Sequence, residues 1–310
     1  MGRRRHRVSV TAAVVAAGVV AVAVLAGVLT GTGASSAAAP SHPYYLSLGD
    51  SYSIGYQPGV SGSGGTPGYT AYVADALSLG LENFGCGGAT TSSLLHTVGC
   101  GDPAAQHAVA YPRSTQEQAA LTFIAAHPGR VKLITVSIGG NDFDGCSSVT
   151  CVKAAMSGMG TDIRTLVKAL STALVKASDP HATVIGITYP DVDLGLYVYP
   201  TDPGSSASLS LARQSVLAFD DLINPTLKAA YATEARDRFV DVTTAPWHSA
   251  TRGADTNLSV TENLAPYGTV PVAVGEVCQL TYFCSRGNIH ADTSGYNFIG
   301  LLIVASERAA

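Results

Sequence analysis

Four short segments of this chain hold the residue types that nucleophilic chemistry needs. Gly49-Asp50-Ser51-Tyr52-Ser53-Ile54-Gly55 sets a serine among small residues directly after an apolar run, and a hydroxyl presented at a sharp strand-to-helix turn is placed to act as a nucleophile. Asn83-Phe84-Gly85-Cys86-Gly87-Gly88-Ala89-Thr90 is rich in glycine, which lets backbone N–H groups approach a ligand closely. Gly139-Gly140-Asn141-Asp142 follows a longer apolar run and offers a side-chain amide donor. His290, within Gly287-Asn288-Ile289-His290-Ala291-Asp292, is a candidate base. Each segment also has a plainer reading. Serine and asparagine serve as turn or N-cap residues, a glycine run as a flexible loop, and a histidine, here one of eight, as a hydrogen-bonded bystander. A dinucleotide fingerprint fits poorly, because the glycines follow the second strand and Thr90 stands at the third position. The combination is far more specific than any part.

Such segments act together only if a scaffold brings them to one place. Short apolar runs predict strands at 44–48, 81–84, 131–138, 182–188 and 238–242. Helical patterns lie between and after them, at 69–79, 115–126, 152–177, 208–235 and 293–309. This alternation predicts an α/β fold, a three-layer α/β/α sandwich around a five-stranded parallel sheet with right-handed crossovers. Ligands then bind outside the carboxyl ends of the strands, where the four segments fall. The stretches 59–65 and 200–206 read as surface loops. From 245 to 284 the pattern is irregular, which in a compact domain points to a binding loop or lid.

With 46% hydrophobic and 13% charged residues among 310, against about 25% charged in ordinary soluble domains, the chain can bury a sizeable core, and disorder is excluded. Arg3, Arg4, Arg5 and Arg7 precede Asp50 without an acid. Removing these four from the 18 basic side chains leaves 14 against 22 acidic ones, so nucleic acid is not an expected partner. Those arginines, the uncharged apolar run 8–29 and the small residues 35–39 read as an export signal over 1–39, with 40–310 as one secreted domain. The apolar run is also long enough for an uncleaved N-terminal membrane anchor.

Six cysteines, an even number, suit an oxidising compartment. Fifteen pairings exist for six cysteines. Their close couples make Cys86–Cys100, Cys146–Cys151 and Cys278–Cys284 the simplest scheme. A metal site is not expected, since there is no paired C-x-x-C and no H-E-x-x-H.

Gly-Asp-Ser near the start, Gly-Gly-Asn-Asp mid-chain and a histidine near the end, in that order, resemble the SGNH (GDSL-type) hydrolase family. Its secreted actinobacterial lipase and esterase branch looks most similar, and the three cysteine couples are similar to that branch too. The resemblance covers residues 44–310 and implies a flavodoxin-like sheet. It implies Ser51 as nucleophile and His290 as general base. The oxyanion would be held by the backbone N–H groups of Ser51 and Gly88 and by the Asn141 amide. Gly88 is matched because it directly precedes a small residue and threonine, Ala89-Thr90. The implied activity is hydrolysis of carboxylic esters, lipid acyl esters above all, through an acyl-enzyme, by a monomer without cofactor, metal or stable protein partner. A phospholipase, a carbohydrate deacetylase and a catalytically weakened ligand-binding protein are the alternatives.

One position departs from the family. The aspartate usual three residues before the histidine is Gly287 here. A triad's third member holds the imidazole in the tautomer with its proton on Nδ1, and a backbone carbonyl can do that. The carbonyl of Gly287, or of a close neighbour, is therefore expected to accept from His290 Nδ1, while Asp292 is expected to cap the last helix.

Overall fold

The strands form where the apolar runs predict them. The structure is a computed structural model and describes residues 42–60, 66–102, 105–143, 146, 149–199, 204–234, 236–243 and 258–309. In chain order it contains β1 (Tyr44–Gly49), α1 (Tyr69–Leu77), β2 (Gly80–Asn83), α2 (Thr91–His96), α3 (Gln116–Ala126), β3 (Val131–Ser137), α4 (Val149–Lys176), β4 (Thr183–Ile187), α5 (Ser206–Ala218), α6 (Asn224–Tyr231), β5 (Arg238–Val240), β6 (Thr261–Leu264), β7 (Gly268–Pro271), α7 (Val272–Leu280), α8 (Phe283–Arg286) and α9 (Thr293–Arg308). The expected export signal at 1–39 and parts of the expected loops, 61–65 and 200–203, lie outside the described residues.

Strands β1 to β5 make one sheet in the order β2-β1-β3-β4-β5, and every pairing is parallel. Because strand side chains alternate, and both faces of this sheet are covered, the strands are apolar on both sides. Leu46 and Leu48 of β1 join Ile134 and Val136 of β3 in one core cluster with α2, α3, α4 and α6. Tyr45 and Leu133 point the opposite way, into a second cluster with α1 and α9. The expected five-stranded parallel α/β sandwich is the fold observed. The chain leaves β1 for a helix on one face and β3 for a helix on the other. The crevice between the carboxyl ends of β1 and β3 is thus the topological switch point, where open α/β sheets bind ligands.

Three local expectations change. The helix expected at 208–235 is two, α5 and α6, joined by a π-helical turn at Phe219–Ile223. Pro225 just beyond it has no N–H to donate into a regular α ladder. The short helix α2 was not expected. It is started by a reciprocal cap in which Thr90 and Ser93 satisfy each other's backbone N–H groups. Of the stretch expected to be irregular, 244–257 lies outside the described residues, whereas 258–284 is ordered into the β6–β7 hairpin, α7 and α8. The hairpin shows no apolar alternation, because β6 buries none of its residues fully. Its support is a third cluster, in which Val270, Val274 and Val277 pack on Leu194, Tyr197 and Phe283.

Candidate active site

The end of β1 is locked before it reaches Ser51. The Gln116 side chain brackets one residue of the strand: its Oε1 accepts from the Gly49 N–H at 2.6 Å and its Nε2 donates to the Gly49 carbonyl at 3.1 Å. One residue on, the Asp50 N–H donates to the Ser137 carbonyl of β3 at 3.0 Å. The Asp50 carboxyl, 1% exposed, accepts from the Tyr52 N–H at 2.9 Å and from the Tyr189 hydroxyl at 2.5 Å. Burial pushes that carboxyl up to about 7. Ser51 therefore sits in a turn whose flanks are fixed by the sheet.

The loop after β2 is drawn to the same place. The Cys86 N–H donates to the Gly49 carbonyl at 3.0 Å, and Cys86 is bonded to Cys100. Gly88 has φ +74° with open space where a Cβ would point, so backbone conformation, not crowding, selects glycine there. The loop after β3 is stitched to this one. Asn141 Nδ2 donates to the Ala89 carbonyl at 2.8 Å, and the Asp142 carboxyl accepts from the N–H and the hydroxyl of Thr91 at 2.9 and 2.5 Å. An amide carries two N–H donors, so Asn141 retains one beyond its bond to Ala89. Among the described residues, the N–H groups of Ser51 and Gly88 have no acceptor.

The base comes from the opposite edge of the crevice. His290 Nε2 lies 2.8 Å from Ser51 Oγ. The Asn288 carboxamide oxygen accepts the His290 backbone N–H at 3.1 Å and lies 2.9 Å from Nδ1. A backbone N–H can only donate, so it identifies that atom as the oxygen and not the nitrogen of the amide. Nδ1 must then carry the proton, which leaves the Nε2 lone pair facing the serine hydroxyl. Burial pulls the imidazole down to about 4. Two tyrosines pack against the ring, Tyr52 stacked at 5.6 Å and Tyr56 tilted at 4.5 Å between centroids, and the Tyr52 hydroxyl anchors the preceding residue by donating to the Ile289 carbonyl.

The partner expected for Nδ1 is thereby corrected from the Gly287 carbonyl to the Asn288 side chain. Gly287 instead ends α8 in the left-handed conformation, φ +63°, with its N–H on the Phe283 carbonyl, and a Cβ there would meet the Tyr199 ring at 2.5 Å. Asp292 caps α9 by accepting from the Gly295 N–H at 2.8 Å. Asn288 went unnoticed in the sequence although a signal was present. An asparagine whose side chain bonds the backbone two residues on is an Asx-turn, and here the residue two on is the histidine.

Beside Ser51 opens a cavity of about 380 Å³ that Asn141 and Tyr189 also line. One side of it is apolar, with Phe143, Val152, Met159, Phe219, Ile223 and Leu227, while Asp193 and Ser215 add polar groups to the lining; Phe219 and Ile223 begin and end the π turn, a feature frequent at functional sites. The other two disulfides, Cys146–Cys151 and Cys278–Cys284, lie on the segment after Asn141 and on the α7–α8 unit before His290. Among the described residues, no group of three or more metal-ligating side chains assembles, and no helix is long and apolar enough to cross a membrane.

In chemical terms, a hydroxyl faces an imidazole of defined tautomer, with unpaired donors and a partly apolar cavity alongside. That arrangement can attack a carbonyl carbon and hold the charge that develops on its oxygen. The sequence profile of the GDSL-like Lipase/Acylhydrolase family matches residues 47–296. No curated protein matches the chain significantly. Solved structures with similar folds include the protein YxiM of Bacillus subtilis, 14% identical with TM-score 0.48, covering 87% of this chain and 57% of that one. Others are the lipase Lip_vut3 from a goat rumen metagenome, 14% identical, TM-score 0.47, 85% and 97% covered, and an acetyl xylan esterase from Geobacillus stearothermophilus, 17% identical, TM-score 0.40, 85% and 92% covered. The chain thus spans just over half the length of the Bacillus protein.

Proposed function

The chain belongs to the GDSL-like lipase/acylhydrolase family, and from that premise we propose that it is a secreted serine esterase acting on carboxylic esters of medium-length acyl chains. The observation that carries this reading is the 2.8 Å approach of His290 Nε2 to Ser51 Oγ. Ser51 Oγ attacks the acyl carbon while Nε2 takes its proton. The carbonyl oxygen becomes an oxyanion that accepts from the N–H groups of Ser51 and Gly88 and from Asn141 Nδ2. Each such donor is worth about 2.7–4 kcal/mol in the transition state. The tetrahedral intermediate collapses, the alcohol leaves with the proton from Nε2, and water repeats the steps to free the acid and restore Ser51.

The cavity beside Ser51 supports the acyl preference. Its roughly 380 Å³ far exceed the room an acetyl group fills, when about 10–15 Å³ by the same measure holds one water, and the side formed by Phe143, Met159, Phe219, Ile223 and Leu227 suits a hydrocarbon chain. Three disulfides suit an oxidising, extracellular setting. Rates on nitrophenyl esters of rising acyl length test the reading, beside a phospholipid, an acetylated xylan and the Ser51→Ala variant. The expected result is a kcat/KM maximum at medium chains that Ser51→Ala abolishes. A maximum at acetate, or turnover confined to phospholipid or acetylated xylan, would replace it with the corresponding reading.

A further inference from the structure

We propose that Asn288 is the positioning residue of this site, its neutral carboxamide standing where a serine hydrolase ordinarily sets a carboxylate, so that the site runs on Ser51, His290 and an amide. The proposal rests on the ester-hydrolase reading above and deepens it. Its ground is geometric. One oxygen, Asn288 Oδ1, binds both the backbone N–H and the ring Nδ1 of His290, at 3.1 and 2.9 Å. Two bonds from one atom to the main chain and the ring of the same residue fix the ring's rotation and its tautomer together. The first task of a triad's third member, holding the proton on Nδ1, is met without charge.

Among the described residues, no carboxylate takes up the second task, stabilising the imidazolium by an opposite charge. Asp50 is committed to Tyr52 and Tyr189, and Asp292 to the Gly295 N–H. Around the ring, β1's following turn contributes Tyr52 and Tyr56. Helix α9 contributes Tyr296, whose hydroxyl donates to the Tyr56 carbonyl. From α8 and its cap, Tyr282 donates to Gln57 and Arg286 donates to the Pro58 carbonyl. The Tyr52 and Tyr56 rings cover the imidazole and keep water from it. The base is consequently weak and neutral well into the acid range, and catalysis persists at pH values where a carboxylate-paired histidine is already protonated.

The test uses the full chain as wild type, Asn288→Ala and Asn288→Asp. Asn288→Ala is expected to lower kcat by about 10²- to 10⁴-fold with KM within about threefold, the range seen when an orienting partner is lost. Asn288→Asp keeps the acceptor and adds charge. It is expected to restore kcat to within about tenfold of wild type and to move the acid limb of kcat/KM upward by about 1–3 pH units. Nitrogen NMR of ring-labelled histidine is expected to show His290 protonated at Nδ1 in wild type and as a tautomer mixture in Asn288→Ala. A residue that merely shaped the loop would be replaced by aspartate with no change in the acid limb. An unmoved limb, an Asn288→Ala variant with kcat within threefold of wild type, or a wild-type ring protonated at Nε2 would each overturn the proposal. If Asn288→Ala fails to fold, the aspartate variant and the wild-type tautomer decide. Failure of the ester reading shows separately, as wild type that neither turns over esters nor labels with a fluorophosphonate, and the tautomer still judges Asn288.

Discussion

The two sides of the crevice are built differently. Ser51 and Asn141 stand two and four residues beyond β1 and β3, whose pairing, the Gln116 bracket on Gly49 and the Asn141–Ala89 bond make one framework. His290 stands in a six-residue link between α8 and α9, held by the Asn288 carboxamide, the Tyr52 hydroxyl and two tyrosine rings. The sheet side sets where a carbonyl must lie and where its charge goes. The loop side sets how basic the proton acceptor is. A framework of strand ends leaves little freedom in the first, whereas one side chain in a link can retune the second.

The largest effect that sharpens this contrast lies at the contact joining the two sides. Ser51→Ala and His290→Ala are each expected to reduce kcat by at least about 10⁴-fold without lowering Tm, and together to cost no more than either alone, as residues acting as a unit do. On the sheet side alone, Asn141→Ala is expected to cost about 10²- to 10³-fold in kcat and to leave the pH profile in place, because the donor carries no titrating proton. A shifted profile would break the division of labour.

Next in size is the cavity. Ile223→Trp fills the space beside the π turn. It is expected to lower kcat/KM on medium-chain esters about 10- to 200-fold relative to acetate, which paired ester assays would read.

On the loop side the pH dependence is the signature. Only the neutral imidazole can accept the proton, and burial places its protonation at about 4, below the ordinary 6.5. The acid limb of kcat/KM, which reports the free enzyme, is expected near pH 4, and a limb near 6.5 would contradict the buried, amide-held ring. The same shift acts on stability. The unfolded chain takes up this proton below 6.5 and the folded chain only near 4, so this contribution is complete above 6.5 and is lost as pH falls through that window.

The smallest effect runs the other way, on the sheet side. The Asp50 carboxyl is raised from 3.8 to about 7 by burial, so the folded state holds a proton that the unfolded state releases, and stability falls as pH rises between those values. Asp50→Asn is expected to raise Tm at pH 8, by roughly 2–4 °C for each kcal/mol relieved, and to leave Tm at pH 4 unchanged. Calorimetry at the two pH values checks this.

The contrast also explains what could be read from the sequence. The sheet was legible because a buried parallel strand must be apolar along its length, whereas Ser51, Gly88 and Asn141 stood out only through the resemblance of their motifs to the SGNH hydrolases. His290 was legible by its order in the chain. Its partner was not, because the expectation followed the position of an absent aspartate to Gly287, one residue short of Asn288. The cavity was hidden for another reason. Val152, Met159, Phe219 and Leu227 read as ordinary core positions of helices, and no periodicity separates a side chain that faces a cavity from one that faces the sheet. The β6–β7 hairpin escaped notice because its strands are four residues each and largely exposed.

The account depends most on acyl transfer to Ser51. Wild type mixed with a stoichiometric amount of a slowly deacylated ester, quenched in acid and analysed by peptide mass spectrometry, measures it directly. The expected result is one acyl group on the peptide that contains Ser51, formed with a burst of released alcohol and absent from His290→Ala on the same timescale. Ester turnover with that peptide unmodified and no burst would contradict the account.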